Sequence, residues 1–533
     1  MILLIWTVVL VVVLTLFFHQ TYSKFSSHGI KHLRVVPFFG NMLKIFLLRE
    51  HLVVEMERLY NQFSNERFVG RYEFINPVIV VQDLELIKKV TVKDFEYFLD
   101  HRGFTDGSVE PLFARNLFSL KGQEWKDMRS TLSPAFTSSK IKLMVPFMEE
   151  VGEQMIRAIK KKLEESESGS INIDVKDLTS RFTNDVIASC AFGLKVNSHT
   201  DEKKQFYEMG KTASTFKLRQ MLFFIILSIF PVLVNILKLK LMSNETKNFF
   251  ENLVMGTMKD RELRSIVRPD MIHLLMEAKK GRLSHNENNG VNNEQDTGFA
   301  TVEESSVGKK TINRVWSDND LIAQAVLFFI AGFETVSIAM SFTLHELAMH
   351  PEIQDRLVKE IKEYDAKNGG KLNFSSIQNM AYLDMVTSEV LRLWPPILAL
   401  DRICVKDYNM GKPNPSAIKD YVMRKGEILT IPVWNIHRDP KIFPNPNKFH
   451  PERFSEDNKH NINPMTYMPF GIGPRNCIGS RFALCELKVL LYQILLHNEV
   501  SISEKSHFPV KLAPESINLK IDGGHWLKFK ARN

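Results

Sequence analysis

The sequence predicts a mainly helical α+β fold with small β-sheets, organised around one long central helix and preceded by a single transmembrane helix. Three observations carry this. Met1 to Phe18 contains no charged residue, and eighteen helical residues reach about 27 Å, close to the hydrocarbon thickness of a bilayer. Ser317-Asp318-Asn319-Asp320 is a capping-box-like start, after which helical spacing runs to about His350, a rod of roughly 50 Å that would cross a whole domain. Strand signals are short and few. Val78 to Val81 is a β-branched run after the turn residues Asn76-Pro77, and Phe68 to Phe74 just upstream would pair with it as a small antiparallel sheet.

A chain of 533 residues suggests several domains by length alone, but no composition shift marks a boundary. The reading is therefore an anchor at 1–20, a basic and proline-containing hinge at 21–40, and one catalytic domain at 41–533. The formal charge of +8 is spread over many segments, with no RNA-binding or zinc-finger pattern beside it. Nucleic acid is excluded as a partner, and an acidic protein or an anionic membrane surface fits better. Four cysteines (Cys190, Cys404, Cys477, Cys485) without a C-x-x-C pair argue against a disulfide framework or a structural zinc, and for a reducing compartment.

Taken in order, the N-terminal run lacks the basic n-region and short core of a cleaved signal peptide. Lys24, Lys31 and Arg34 follow it, which places the remainder on the cytoplasmic side. Trp125 and Arg129 stand four apart, on one face of a helix. A second apolar run, Met221 to Leu237, is interrupted by Pro231 and flanked by Lys217, Arg219, Lys238 and Lys240, which weakens a second span. Ser284 to Asn313 is polar and reads as a flexible surface loop. Within the long helix lies Ala331-Gly332-Phe333-Glu334-Thr335. A mid-helix glycine costs about 1 kcal/mol relative to alanine, so Gly332 asks for a reason: room for a ligand against the helix, or close packing between helices. Thr335 can bond back to the Ala331 carbonyl. Glu389 and Arg392 share one helix face, and Pro395-Pro396 stops that helix. Arg402 lies in an extended segment, His437 reads as a turn histidine, and Gly523-Gly524 as a tight hairpin turn. The sequons at Asn244 and Asn373 are taken as chance matches.

The densest signal is Phe470-Gly471-Ile472-Gly473-Pro474-Arg475-Asn476-Cys477-Ile478-Gly479. A loop rich in Gly and Pro delivers one cysteine to the start of a helix, where backbone N–H groups and the dipole favour its thiolate. Arg475 adds a cation, and the glycines at 471, 473 and 479 leave room around the sulfur.

This loop resembles the haem-thiolate loop of the cytochromes P-450, and the chain from about Pro37 to Lys530 is similar to that family's microsomal members, most of all insect ones. The resemblance implies the cytochrome P-450 fold with the long helix over the haem, and haem b with Cys477 as axial ligand of the iron. It implies that Phe470, Arg475 and Gly479 of the loop and Ala331 and Gly332 of the long helix lie at the haem, with Trp125, Arg129 and Arg402 among the partners of its propionates. Glu334 and Thr335 resemble the acid–alcohol pair that manages proton delivery, and Val336 stands where many relatives carry a second hydroxyl. Glu389, Arg392 and Arg453 match a structural charge network. Pro396 to Leu400 should line the substrate pocket, and about Pro514 to Leu519 would reach it. The implied reaction inserts one oxygen atom of O₂ into a lipophilic small molecule. No nucleotide-binding motif is fused to the chain, so electrons come from NADPH through a separate cytochrome P-450 reductase, with Lys126, Lys140 and Lys142 as docking cations and cytochrome b5 left open. The site implied is the endoplasmic reticulum membrane, with the catalytic domain on its cytosolic face. A haem-thiolate isomerase or dehydratase acting on peroxides is the alternative, and Glu334-Thr335 argues against it. A membrane-anchored haem and lipid carrier without turnover is a third reading.

Overall fold

The computed structural model describes residues 1–103, 110–201, 205–214, 218–281, 298–303, 307 and 314–532. The helices that matter here, in chain order, are α1 (Ile2–Tyr22), α2 (Leu52–Gln62), α3 (Gly122–Leu132), α4 (Val145–Glu164), α5 (Val175–Cys190), α6 (Leu218–Ile229), α7 (Pro231–Ile236), α8 (Asp318–Met349), α9 (Ala381–Leu393) and α10 (Ser480–His497).

The long helix α8 starts where its cap predicts. Ser317 Oγ accepts from the Asp320 N–H while the Asp320 carboxylate accepts from the Ser317 N–H, so two otherwise orphaned donors are satisfied together. Its C-terminal half, from Val336 to Ala348, is buried. Here α5 lies against its side, and α4, α9 and α10 build the main core around it. Both α1 and α8 are long and apolar enough to cross a membrane, but most of α8 is inside this core, whereas none of the most apolar stretch of α1 is buried.

Nine strands form among the described residues: β1 (Phe68–Glu73), β2 (Asn76–Val81), β3 (Ser170–Asp174), β4 (Leu400–Ile403), β5 (Tyr408–Gly411), β6 (Tyr421–Met423), β7 (Ile428–Ile431), β8 (Asn498–Ile502) and β9 (Trp526–Ala531). The predicted hairpin is present, with Phe68 opposite Val81 and Glu73 opposite Asn76. It is extended to a four-stranded sheet in the order β1-β2-β7-β4, in which β7 runs parallel to β2. This sheet carries Arg402 on β4. Gly523 and Gly524 both adopt positive φ, but in a turn that leads into β9 rather than at a hairpin tip, because β9 pairs with the distant β3 and β8.

The apolar run at 221–237 is two helices, broken where Pro231 opens α7 with no N–H to give, in keeping with the interruption the sequence shows there. Within the segment 21–40, Tyr22, Phe25 and Ile30 are buried against the first sheet. Of the segment 284–313, residues 298–303 and 307 are described, with Phe299 packed against Phe454 and Tyr467, and the rest lies outside the described residues.

Candidate active site

The loop of 470–479 brings Cys477 to the foot of α10. The Cys477 N–H donates to the Phe470 carbonyl at 2.8 Å, and Gly471 and Gly473 take φ of 75° and 72°. At Gly473 a Cβ would stand 1.9 Å from the Thr91 carbonyl oxygen, so the space this glycine opens is filled by the protein's own backbone. At Gly479 a Cβ would meet only Phe136, at 3.7 Å. Cys477 is accessible, whereas Cys190, Cys404 and Cys485 are buried. The helix proper begins at Ser480, three residues after Cys477, so the sulfur does not sit at the helix cap itself. Although the residue is exposed, protein atoms packed round the sulfur push the free thiol up, and the Gly479 N–H and Arg129 only partly oppose it. The cation acting on the sulfur is therefore Arg129, not the Arg475 that the sequence suggests.

Arg475 turns away along α3. Its Nε donates to Leu99 O at 2.7 Å and its Nη2 to Leu120 O at 2.8 Å, while the guanidinium stacks 3.9 Å above the Trp125 ring. Arg129, one turn on from Trp125, donates to Asn476 O and Oδ1 at 2.7 and 2.8 Å, pinning the residue before the cysteine. Arg402 is buried and makes one hydrogen bond among the described residues, to Asp401 O at 2.7 Å. Burial brings its guanidinium down to about 10. Arg475 is also held well below its ordinary value by burial and then by the charge of Arg402. The Trp125 side chain is 1% exposed. The buried guanidiniums of Arg129, Arg402 and Arg475 make a surface that suits anions. Sequence reasoning missed His101, which contacts Asp401 at 3.0 Å beside this cluster; a histidine outside any motif gives no signal.

On α8, Ala331 is exposed and Thr335, one turn later, donates to its carbonyl at 2.6 Å, as the spacing suggests. Gly332 points elsewhere: a Cβ there would lie 3.1 Å from Ile187 Cδ1 on α5. Of the two reasons the sequence allowed for this glycine, close helix packing is the one found. Glu334 is held from two sides, by Lys176 Nζ at 3.2 Å and by Asn518 Nδ2 at 3.3 Å. Lys176 also donates to Ser337 Oγ at 2.8 Å and to Ser180 Oγ at 3.0 Å. Neither Lys176 nor Asn518 is legible from sequence, because each lies over 150 residues from Glu334.

The family model described as Cytochrome P450 matches residues 31–527. The chain belongs to the cytochrome P450 family. Among curated relatives, cytochrome P450 9e2 of Blattella germanica is 45% identical over 520 residues, covering 95% of this chain and 94% of the relative. Probable cytochrome P450 9f2 of Drosophila melanogaster is 40% identical, covering 96% of this chain and 95% of its own. Cytochrome P450 6j1 of Blattella germanica is 35% identical, covering 98% and 96%.

This P450 is a monooxygenase by family, and the family implies a haem. The donor set fits one: an accessible soft sulfur for iron, and guanidinium and indole donors that would meet two carboxylates. The Glu389–Arg392–Arg453 triad of the P450 is assembled, with Arg453 at its partly exposed edge. Glu389 and Arg392 are fully buried and doubly bonded at 2.7 and 2.9 Å, and Arg453 Nε reaches Glu389 at 3.3 Å. Arg392 also donates to His437 O and Pro446 O, so the pair ties α9 to the stretch that leads to the cysteine loop. His437 stands in a turn, as the sequence suggests, and is fully buried there. The Met468 N–H donates to its Nε2 at 2.9 Å, which leaves Nδ1 as the donor to Arg392 O at 3.1 Å. Burial brings the imidazole down to about 3.

A cavity of about 260 Å³ lies between α2 and the first sheet, lined by Met56, Arg102, Phe118, Ala399, Leu400 and Asp401 among others. Leu400 also faces the cysteine loop, since a Cβ on Gly471 would lie 3.6 Å from its Cδ2. Of the second expected stretch, Leu519 is buried, and Asn518 is bonded to Glu334.

Proposed function

We propose that this P450 oxygenates a lipophilic small molecule, a xenobiotic or an endogenous lipid or steroid, at the cytosolic face of the endoplasmic reticulum. Electrons come from NADPH through a separate membrane-bound cytochrome P-450 reductase, with cytochrome b5 standing as a second candidate donor. The single observation that carries the reading is Cys477, the one accessible cysteine, held at the foot of α10 by Arg129 and the Phe470 carbonyl.

The haem, when bound, supplies the activation of O₂. Cys477 would hold its iron, with Phe470 and Gly479 beside it. Trp125, Arg129 and Arg402 would take its carboxylates, and Arg475, its own donors spent on carbonyls, would add positive charge. Ala331 offers a small side chain on the accessible face of α8, and Thr335 holds its hydroxyl on the Ala331 carbonyl. Gly332 would lie beside it through its backbone, with its Cβ position turned toward Ile187. Glu334 keeps a proton-transfer group one residue from Thr335, and Lys176 fixes where its carboxylate points. Glu389, Arg392 and Arg453 serve structure. Apolar α6 and α7, near the anchor, suit a substrate that arrives from lipid.

The test is the difference spectrum of the reduced, CO-bound membrane protein, with Cys477→Ser as control. A strongly red-shifted Soret band in the wild type, lost in the variant, is the expected result. A band at the position of histidine-ligated haem, or none, would sink the proposal.

A further inference from the structure

The cavity of about 260 Å³ between α2 and the first sheet is separate from the site at Cys477. Among the described residues, none of its lining comes from α8 or from the loop of 470–479. Its apolar walls are Leu52, Met56 and Leu59 of α2, Val80 of β2, Leu400 of β4 and Pro432 just after β7. Leu400 stands between the two places, walling the cavity while its Cδ2 lies 3.6 Å from where a Cβ on Gly471 would be. An engineered apolar cavity of about 150 Å³ takes benzene, so the volume here suits a ligand of about ten non-hydrogen atoms.

The charges around the cavity are already matched. Arg71 pairs with Glu55 at 3.0 Å and with Glu73 at 2.8 Å. Glu73 also meets the Arg102 guanidinium, and the Arg102 backbone N–H donates to the Asp401 carboxylate at 2.8 Å. The other Asp401 oxygen faces His101 Nδ1 at 3.0 Å. The charged lining residues are two arginines and two acids, so a charged ligand would be desolvated here with no counter-charge left over for it. Neutral polar groups are a different matter. Thr430 on β7 and Asn435 in the short helical turn after it both line the cavity, and they are only 7% and 4% exposed. Thr430 Oγ1, Asn435 Oδ1 and Arg102 Nε are all buried without a hydrogen-bond partner. Buried polar atoms in folded proteins are nearly always paired, so three unpaired ones around one cavity call for a reason. A ligand hydroxyl supplies one, because it donates and accepts at once.

We propose that this cavity is a second ligand site, apart from the one at Cys477, for a neutral lipophilic molecule that carries a single hydroxyl. The hydroxyl donates to Asn435 Oδ1 and accepts from Thr430 Oγ1 or Arg102 Nε, while the carbon skeleton lies against α2 and Leu400. Carboxylates and amines are refused, since every charge in the lining has its partner. The site stands on the cavity and its unpaired groups, and it does not depend on which molecule is oxygenated.

The test uses the full-length holoenzyme in phosphatidylcholine nanodiscs, with clotrimazole held on the iron so that the haem pocket is already filled. Equilibrium dialysis against menthol, corrected with empty nanodiscs, should show a single equivalent bound. Thr430→Val keeps the shape of the side chain and removes its hydroxyl. It should weaken menthol binding about five- to tenfold and leave the hydrocarbon menthane within about twofold, with the CO-bound Soret band kept. Menthane carboxylate should not compete. Should Thr430→Val lower the yield of holoenzyme, Asn435→Leu should give the same split between alcohol and hydrocarbon. Loss of menthol binding once clotrimazole is in place, an equal effect of the variants on menthol and menthane, or competition by the carboxylate would overturn the proposal.

Discussion

Cys477 and His437 both sit in protein that resists charge, and their neighbours decide what each can do. At Cys477 one N–H and one guanidinium draw toward the thiolate, and the protein packed round the sulfur outweighs them. At His437 every polar atom is already matched, and an added proton would have to break the bond from Met468 N–H. Its folded value lies near 3, against about 6.5 for a free imidazole. Between those limits the unfolded chain binds the proton and the folded one does not. Its contribution is therefore whole above about pH 6.5 and is lost as pH falls toward 3, at about 1.4 kcal/mol per pH unit. His437→Gln should make the drop in urea-unfolding free energy from pH 7 to pH 5 smaller by about 2 kcal/mol than in the wild type. Equal drops would show that the proton is taken up elsewhere. None of this was visible in the sequence, where His437 lies in a run of turn residues; the partner that fixes its tautomer is a backbone N–H 31 positions away.

Helix α8 shows what a sequence can and cannot disclose about one element. Its start, its length and the Thr335 bond are local matters, written in residues no more than four apart, and all are legible. The purpose of Gly332 is not local. It depends on Ile187 of α5, 145 positions upstream, and no spacing within α8 reports which neighbour crosses at that turn. The contact has a measurable signature. A valine at 332 would drive methyl groups into a place where even a Cβ is tight, so Gly332→Val should destabilise by about 1–3 kcal/mol. Ile187→Ala in the same chain should recover at least half of that loss, because the crowding atom is the Ile187 methyl. Urea denaturation of the two single variants and the double variant reads the coupling. If the losses simply add, the glycine serves something other than this crossing.

At the scale of the whole molecule, apolar exposure alone says little, because it is scattered. Leu263, Val267, Val315 and Ile418 are each at least three-quarters exposed and come from separate parts of the chain. Val232 and Ile236 are about as exposed, yet they lie on α7, next to the α6 end that the hairpin tip holds beside the anchor. A sequence scan ranks these residues alike; the difference between them is created by the fold, through one bond from Asn76 to Ser228. The two groups should therefore meet different solvents when the full-length protein is in a bilayer. Single spin labels at Val232→Cys and Ile236→Cys should be relaxed more strongly by oxygen, which concentrates in lipid, than by a water-soluble nickel complex. Labels at Leu263→Cys and Ile418→Cys should show the reverse. The native cysteines will not confuse the reading, since three are buried and the fourth would be held by the haem iron. Nickel-dominated relaxation at 232 and 236, with α1 still inserted, would mean that α7 faces water and that its apolar side waits for a protein partner instead.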